Sequence, residues 1–213
     1  MRKMSGPTEE DEISLKRVAR YLIGRPREVV RYPWRKLDHK IVTYVDSDFA
    51  GCFRTRKSTS GGASFWSGQL VKAWSKTQAT LAFSSGEAEL AAVVRGSTEA
   101  LGMQAMLEDW GFVVSLEVRS DATAAIGIVR RQGLGRVRHL AVADLWVQQK
   151  ALAGILQMEK HPGLTNPADM MTKGVDAETL VRHMLCLGMS STSGRSSLAP
   201  QRTMHNEPPV WSS

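Results

Sequence analysis

Asp46, Glu89, Asp121 and Asp169 are the residues of this sequence least easily explained as packing. The run "TYVDSDFAG", residues 43–51, sets Asp46 and Asp48 at the end of a stretch with the composition of a strand. Acids are depleted in strands, and a half-buried carboxylate is costly unless something pairs with it. If such acids gather, they repel one another and at least one takes up a proton more readily. The chemistry they offer therefore calls for a neutralising partner.

Each acid also has a local reading. Asp121, in "SDATAA", suits a helix N-cap. Asp169 follows Asn166-Pro167-Ala168 and suits a first helical turn, where the dipole favours negative charge. Glu87 is the capping-box partner of Ser84, which leaves Glu89 without a local task, at the rim of the apolar face that runs through Val93. In the first strand Val45 and Ser47 share one face while Tyr44, Asp46 and Asp48 share the other. A register error of one residue would exchange the candidates.

The elements that must position these acids follow from patterning. "KIVTYVDSD" predicts a strand, and "GGASFWSGQLVKAWSKT" a hairpin turning at Ser67-Gly68. A long helix is expected from Ser84 to about Trp110, with Leu90, Val93, Val94, Ser97 and Leu101 down one face and Gly111 at its end. "FVVSLEVRS" reads as a fourth strand, "DATAAIGIVRRQ" and "HLAVADLWVQQKALAG" as helices, "ILQMEK" as a fifth strand, and "NPADMMTKGVDAETLVRHMLCLG" as one or two helices. Three strands followed by alternating helices and strands predict an α/β fold, a mixed five-stranded sheet with helices on both faces. Strand ends and adjacent helix starts form a shared edge where ligands commonly bind, so the layout gathers the four acids there.

Composition divides the chain into residues 1–38, a polar start and a short helix stopped at Gly24-Arg25-Pro26; residues 39–189, which carry the fold; and a Ser- and Pro-rich tail over 190–213, expected to be disordered. With 213 residues and 42% hydrophobic content, one folded domain plus tails is expected. The net charge of +7 favours nucleic acid over a membrane as partner, because no long apolar span or basic amphipathic helix is visible. Two distant cysteines, Cys52 and Cys186, argue against a disulfide scaffold or zinc finger and fit a reducing intracellular compartment, cytoplasm or nucleus being left open. Residues 1–20 are charged throughout, so no signal peptide is expected.

"TYVDSDFAG", "RKSTSGG", "AWSKTQATLAFSSGEAEL", "EVRSDATAAIGIV", "RHLAVADLWVQQK" and "NPADMMTKG" together resemble, in order, the ribonuclease H domain of copia-type retrotransposon polyproteins. The preceding "PTEEDEISLKRVARYLIGRPR" resembles the stretch that joins the reverse transcriptase to that domain. The resemblance implies a ribonuclease H-like fold and hydrolysis of the RNA strand of RNA–DNA hybrids, with a reverse transcriptase domain as a possible partner. Its motifs map their acids onto Asp46, Glu89, Asp121 and Asp169.

Phosphodiester hydrolysis needs a more basic attacking water and a stabilised leaving 3′-oxygen, and two Mg²⁺ ions about 4 Å apart can serve both. Mg²⁺ prefers oxygen ligands and retains waters, so a few carboxylates and a substrate phosphate complete its shells, with Mn²⁺ as a substitute. The resemblance implies that Asp46 bridges both ions, that Glu89 and Asp121 bind one, and that Asp169 holds the other. It also relates His161 to a loop histidine that helps proton transfer or product departure; a solvated loop side chain is the plainer reading. Arg54, Arg56, Lys57, Ser58 and Thr59, with Arg130, Arg131, Arg136 and Arg138, are candidate phosphate contacts, against the plainer reading of a solvated surface. Hybrid recognition would rest on shape and 2′-hydroxyls.

The sequence departs from the family pattern at Phe49, Cys52, Thr55, Ala141 and residues 133–138, and none of these removes a mapped carboxylate. Tyr44-Val45-Asp46-Ser47 lacks the paired acids of a polymerase motif, which excludes a polymerase fragment. The surviving alternative is a catalytically silent, domesticated nucleic-acid-binding or interaction module.

Overall fold

β2 (Lys40–Asp48), rich in the β-branched residues Ile41, Val42, Thr43 and Val45, runs through the centre of the sheet. Its odd residues Ile41, Thr43 and Val45 are fully buried on one face, as strand geometry requires when that face meets a helix. In the computed structural model, which describes residues 6–25, 27–133 and 145–194, β2 pairs antiparallel with β3 (Thr59–Trp66) and parallel with β5 (Ser115–Ser120). β4 (Gln69–Thr77) and β6 (Leu156–Lys160) complete the sheet, in the order β4-β3-β2-β5-β6. The β3–β4 turn falls at Ser67-Gly68, both at positive φ, the geometry whose twist matches a two-residue hairpin.

Helix α2 (Ser85–Asp109) lies against β2, β3 and β5. Gly96 permits the close approach: a Cβ there would stand 2.3 Å from Val45 Cγ1. Ser84 caps the helix by accepting from the Glu87 amide at 3.3 Å, while the Glu87 carboxylate accepts from the Phe83 amide at 2.8 Å instead of closing the expected box on Ser84. Helices α3 (Thr123–Arg130) and α4 (Trp146–Leu152) pack beside β6 on the same main core, where Leu90, Val93, Leu107, Leu116, Val118, Val129, Val147 and Leu156 are buried together. On the other face a smaller cluster joins Ala63, Phe65 and Leu187 to Tyr44, Met170 and Met171. The last two belong to a 3-10 helix, Pro167–Met171, that packs on β2 and β3 and contacts α5 (Ala177–Cys186). Helical elements thus cover both faces, and the fold is α/β with a mixed five-stranded sheet.

The described residues divide into two compact units, those within 30–189 and those within 6–29 and 190–194. In the latter, α1 (Glu9–Gly24) starts at a Thr8–Asp11 capping box and buries none of its residues. A two-stranded sheet pairs β1 (Arg27–Val30) with β7 (Met189–Thr192). Neither strand is legible from periodicity, being four residues long, and β7 occupies the start of the segment whose composition predicts a disordered tail. Residues 195–213 of that tail lie outside the described residues. Among the described residues, no helix is long and apolar enough to cross a membrane.

Candidate metal centre

The carboxyl end of β2 delivers Asp46 to a place where three other elements converge. Asp46 is 2% exposed. Glu89 comes from the first turns of α2 and Asp121 follows the end of β5. Ligand oxygens of Asp46, Glu89 and Asp121 all lie within 4.8 Å of one another. Asp169, at the third position of the 3-10 helix, joins through Lys173: its Nζ stands 3.1 Å from Asp169 Oδ2 and 3.6 Å from Asp46 Oδ2.

Local structure explains why these side chains face inward. Asp121 does not cap α3; the N-cap is Ala122, without a side-chain bond, and Ser120 Oγ accepts from the Ala122 amide at 3.1 Å. The Asp121 carboxyl is left for the cluster, and Gly163 lies so close that a Cβ would meet Asp121 Oδ2 at 2.6 Å. The 3-10 helix is pinned by Asn166, which is fully buried, donates to the Val45 carbonyl at 2.9 Å and accepts from the Ala168 amide at 3.1 Å. Gly61, paired with Asp46 across the sheet, makes room: a Cβ there would stand 2.6 Å from Met171 Cβ and 2.7 Å from Thr172 Cγ2. The Thr172 hydroxyl donates to Asp46 Oδ2. Sequence reasoning assigned no role to Asn166, Thr172 or Lys173, although "NPADMMTKG" contains all three and the i, i+4 spacing of Asp169 and Lys173 is a signal for their pairing.

Crowding sets the electrostatics. Burial, and then Asp46 and Asp121, push the Glu89 carboxyl up to about 8. Burial likewise raises Asp46, partly offset by the Thr172 hydroxyl, and raises Asp169 against the opposing pull of Lys173. Burial alone would lower Lys173, but Asp46 and Asp169 outweigh it and hold its ammonium above the ordinary value. Glu117 is the contrasting case: only 4% exposed, its carboxyl is nevertheless held down because Lys40, at 2.8 Å, and Arg119 overcome its burial. The cluster lacks that balance.

Glu89 Oε2 and Asp169 Oδ1 are buried with no hydrogen-bond partner among the described residues. Clustered, under-satisfied carboxylate oxygens are the donor set that hard divalent cations select, so the residues present fit Mg²⁺ or Mn²⁺.

The other sequence candidates fall elsewhere. His161 follows β6; its ring meets Tyr44 edge-on at 5.0 Å between centroids, and Nε2 lies 3.0 Å from Thr165 Oγ1. It lines a cavity of about 390 Å³ with Lys40, Tyr44 and Phe65, and its polar partner is Thr165, not one of the four acids. Asp48 accepts from the Thr59 amide and so closes the β2–β3 connection. Ser58, in place of the phosphate contact expected of it, is 1% exposed and its hydroxyl accepts from the Ala50 amide at 3.0 Å. Thr59 opens β3 half-buried. Arg54 and Arg56 are exposed on the β2–β3 connection, and the Lys57 ammonium donates to the Ala79 carbonyl. Arg130, exposed at the end of α3, donates to the Met158 carbonyl and stands 3.9 Å from Glu159. Arg131 stands half-exposed just past the end of α3. Arg136 and Arg138 lie outside the described residues, as does Ala141.

No protein-family model matches the chain. It is 28% identical over 176 residues to the retrovirus-related Pol polyprotein from transposon TNT 1-94 of Nicotiana tabacum, covering 82% of this chain and 13% of that polyprotein. It is 34% identical over 97 residues to an uncharacterized mitochondrial protein of Arabidopsis thaliana, covering 46% of this chain and 40% of that protein. The chain thus spans less than two thirds of the length of these relatives. Among solved structures, LC11-RNase H1 isolated from compost aligns with a TM-score of 0.45 at 19% identity, over 63% of this chain and 94% of that one. Over most of its length the chain is thus similar to a segment of a transposon Pol polyprotein.

Proposed function

We propose that this chain is a metal-dependent endonuclease that hydrolyses the RNA strand of RNA–DNA hybrids. One observation carries the reading: oxygens of Asp46, Glu89 and Asp121 gather within 4.8 Å, with Asp169 tied to Asp46 through Lys173. Asp46, Glu89 and Asp121 would hold one Mg²⁺ ion, and Asp46 with Asp169 a second, Mn²⁺ being a substitute. Bound there, such ions supply a more basic water and hold the charge of the leaving 3′-oxygen. The chain's own part is positioning. Thr172 fixes Asp46 Oδ2, Asn166 and Gly61 fix the segment that carries Asp169, and Lys173 holds the acids' charge until divalent cations replace it. Exposed Arg54 and Arg56 supply phosphate contacts at the same end of β2. Similarity to a Pol polyprotein supports a polymerase domain as partner.

Lys173 also favours a second reading. An ammonium already paired with Asp46 and Asp169 neutralises part of the cluster, as a catalytically silent nucleic-acid-binding module would require. Hydrolysis assays with Mg²⁺ or Mn²⁺ on matched hybrid, duplex RNA and duplex DNA separate the two. Cutting confined to the RNA of the hybrid, and abolished in Asp46→Asn, is the expected result. Binding without cutting by the unmutated protein selects the silent module, and cutting of duplex DNA alone overturns the substrate assignment.

A further inference from the structure

Two loops leave the sheet at the end where the acids gather: residues 49–58, between β2 and β3, and residues 78–84, between β4 and α2. They are tied together, the Gln78 amide donating to the Ser58 carbonyl at 2.8 Å and the Lys57 ammonium to the Ala79 carbonyl. On them Phe53 is 93% exposed and Phe83 78%, with Phe49 and Leu81 about half exposed. Arg54 and Arg56 are exposed on the same loop as Phe53. A single exposed apolar side chain is ordinary. Aromatic rings interleaved with guanidinium groups, on joined loops beside a candidate phosphodiester site, form a composite surface.

We propose that these loops are a stacking platform for unpaired bases, so that the preferred substrate is a hybrid with a single-stranded extension beside the strand to be cut. This rests on the hydrolase reading and names its substrate class. A perfect duplex offers Arg54 and Arg56 its phosphates, but its bases turn their faces to one another and leave the rings nothing to stack on. An unpaired base exposes a π-face to a ring whatever its identity, while cations follow the backbone. The net charge of +7 and the cations at this loop favour that polyanion over an apolar protein surface.

The test is binding of the full chain, in chelator, to a labelled blunt hybrid and to the same hybrid carrying a single-stranded tail of about eight nucleotides. The tail is expected to tighten binding about tenfold. Phe53→Ala and Phe83→Ala should each erase much of that gain without weakening the blunt hybrid, and Phe53→Trp should keep it. Equal affinities for the two hybrids, equal losses on both in Phe53→Ala, or a Phe53→Leu variant as good as the unmutated chain would overturn stacking. Since Phe53 is almost fully exposed, an unchanged thermal melt is expected to show that its variants stay folded. Cleavage assayed in parallel keeps the readings apart. A tail preference without metal-dependent cutting defeats only the hydrolase, and cutting without a tail preference defeats only the platform.

Discussion

At neutral pH the Glu89 carboxyl, pushed up to about 8 by burial and by Asp46 and Asp121, is largely protonated in the metal-free protein. Below the ordinary value of 4.5, folded and unfolded chains both carry the proton, and Glu89 leaves stability unchanged. Between 4.5 and about 8 only the folded chain keeps it, so unfolding releases a proton and rising pH favours the unfolded state. The melting temperature measured in chelator should therefore fall across this window, and Glu89→Gln should flatten the fall. Lys173 gives a second prediction. Its half-exposed ion pairs with Asp46 and Asp169 are worth at most about 1 kcal/mol. Lys173→Met should lower the melting temperature in chelator while tightening Mn²⁺ binding, read by calorimetry, by up to about fivefold, because the competing cation is gone. At this scale the acids were legible in the sequence, since an aspartate in a strand and a glutamate without a capping task have few local explanations. Asn166 was not, because its bond to Val45 spans 121 residues of chain.

At the scale of elements, the 3-10 helix Pro167–Met171 decides whether Asp169 reaches the other acids, and two residues that supply no carboxylate, Gly61 and Asn166, hold it in place. Gly61→Ala would put a methyl group 2.6 Å from Met171 Cβ and 3.2 Å from the Ala168 carbonyl, with backbone on one side and a packed side chain on the other. Overpacking of this kind costs about 1–3 kcal/mol, and relief by sliding the helix carries Asp169 away from Asp46. Loss of metal-stimulated cleavage together with a lower urea midpoint is the expected outcome. Asn166→Ala strands the buried Val45 carbonyl, at a cost of about 1–3 kcal/mol, and should give the same pair of losses. Serine hydroxyls near β2 show why elements were easier to read than their ends. The β-branched and aromatic run of "KIVTYVDSD" marks β2, and the strand spans those same residues, Lys40–Asp48. Whether Ser58 faces a phosphate or the Ala50 amide depended on how the connection 49–58 folds back, which no periodicity encodes.

For the whole molecule, charge is distributed against the site: a chain of net charge +7 keeps a knot of acids where, under the proposed function, a phosphate would approach. Long-range attraction brings a polyanion to the surface, and the acids oppose its last approach unless their charge is met. Two contributions to binding should then separate. The sequence-independent part should fall steeply with monovalent salt, as released counterions predict. A second part should appear only with divalent ions. Affinity for a hybrid whose linkages resist hydrolysis, measured at fixed ionic strength, should rise when Mg²⁺ replaces an equivalent amount of Na⁺, and Asp169→Asn should shrink that rise. A silent module neutralised by Lys173 has no such requirement, and identical affinities in the two salts would identify it. The +7 charge and the order of the motifs raise the expectation of a nucleic-acid partner from sequence, whereas the lysine already lodged among the acids makes this ion-exchange measurement decisive.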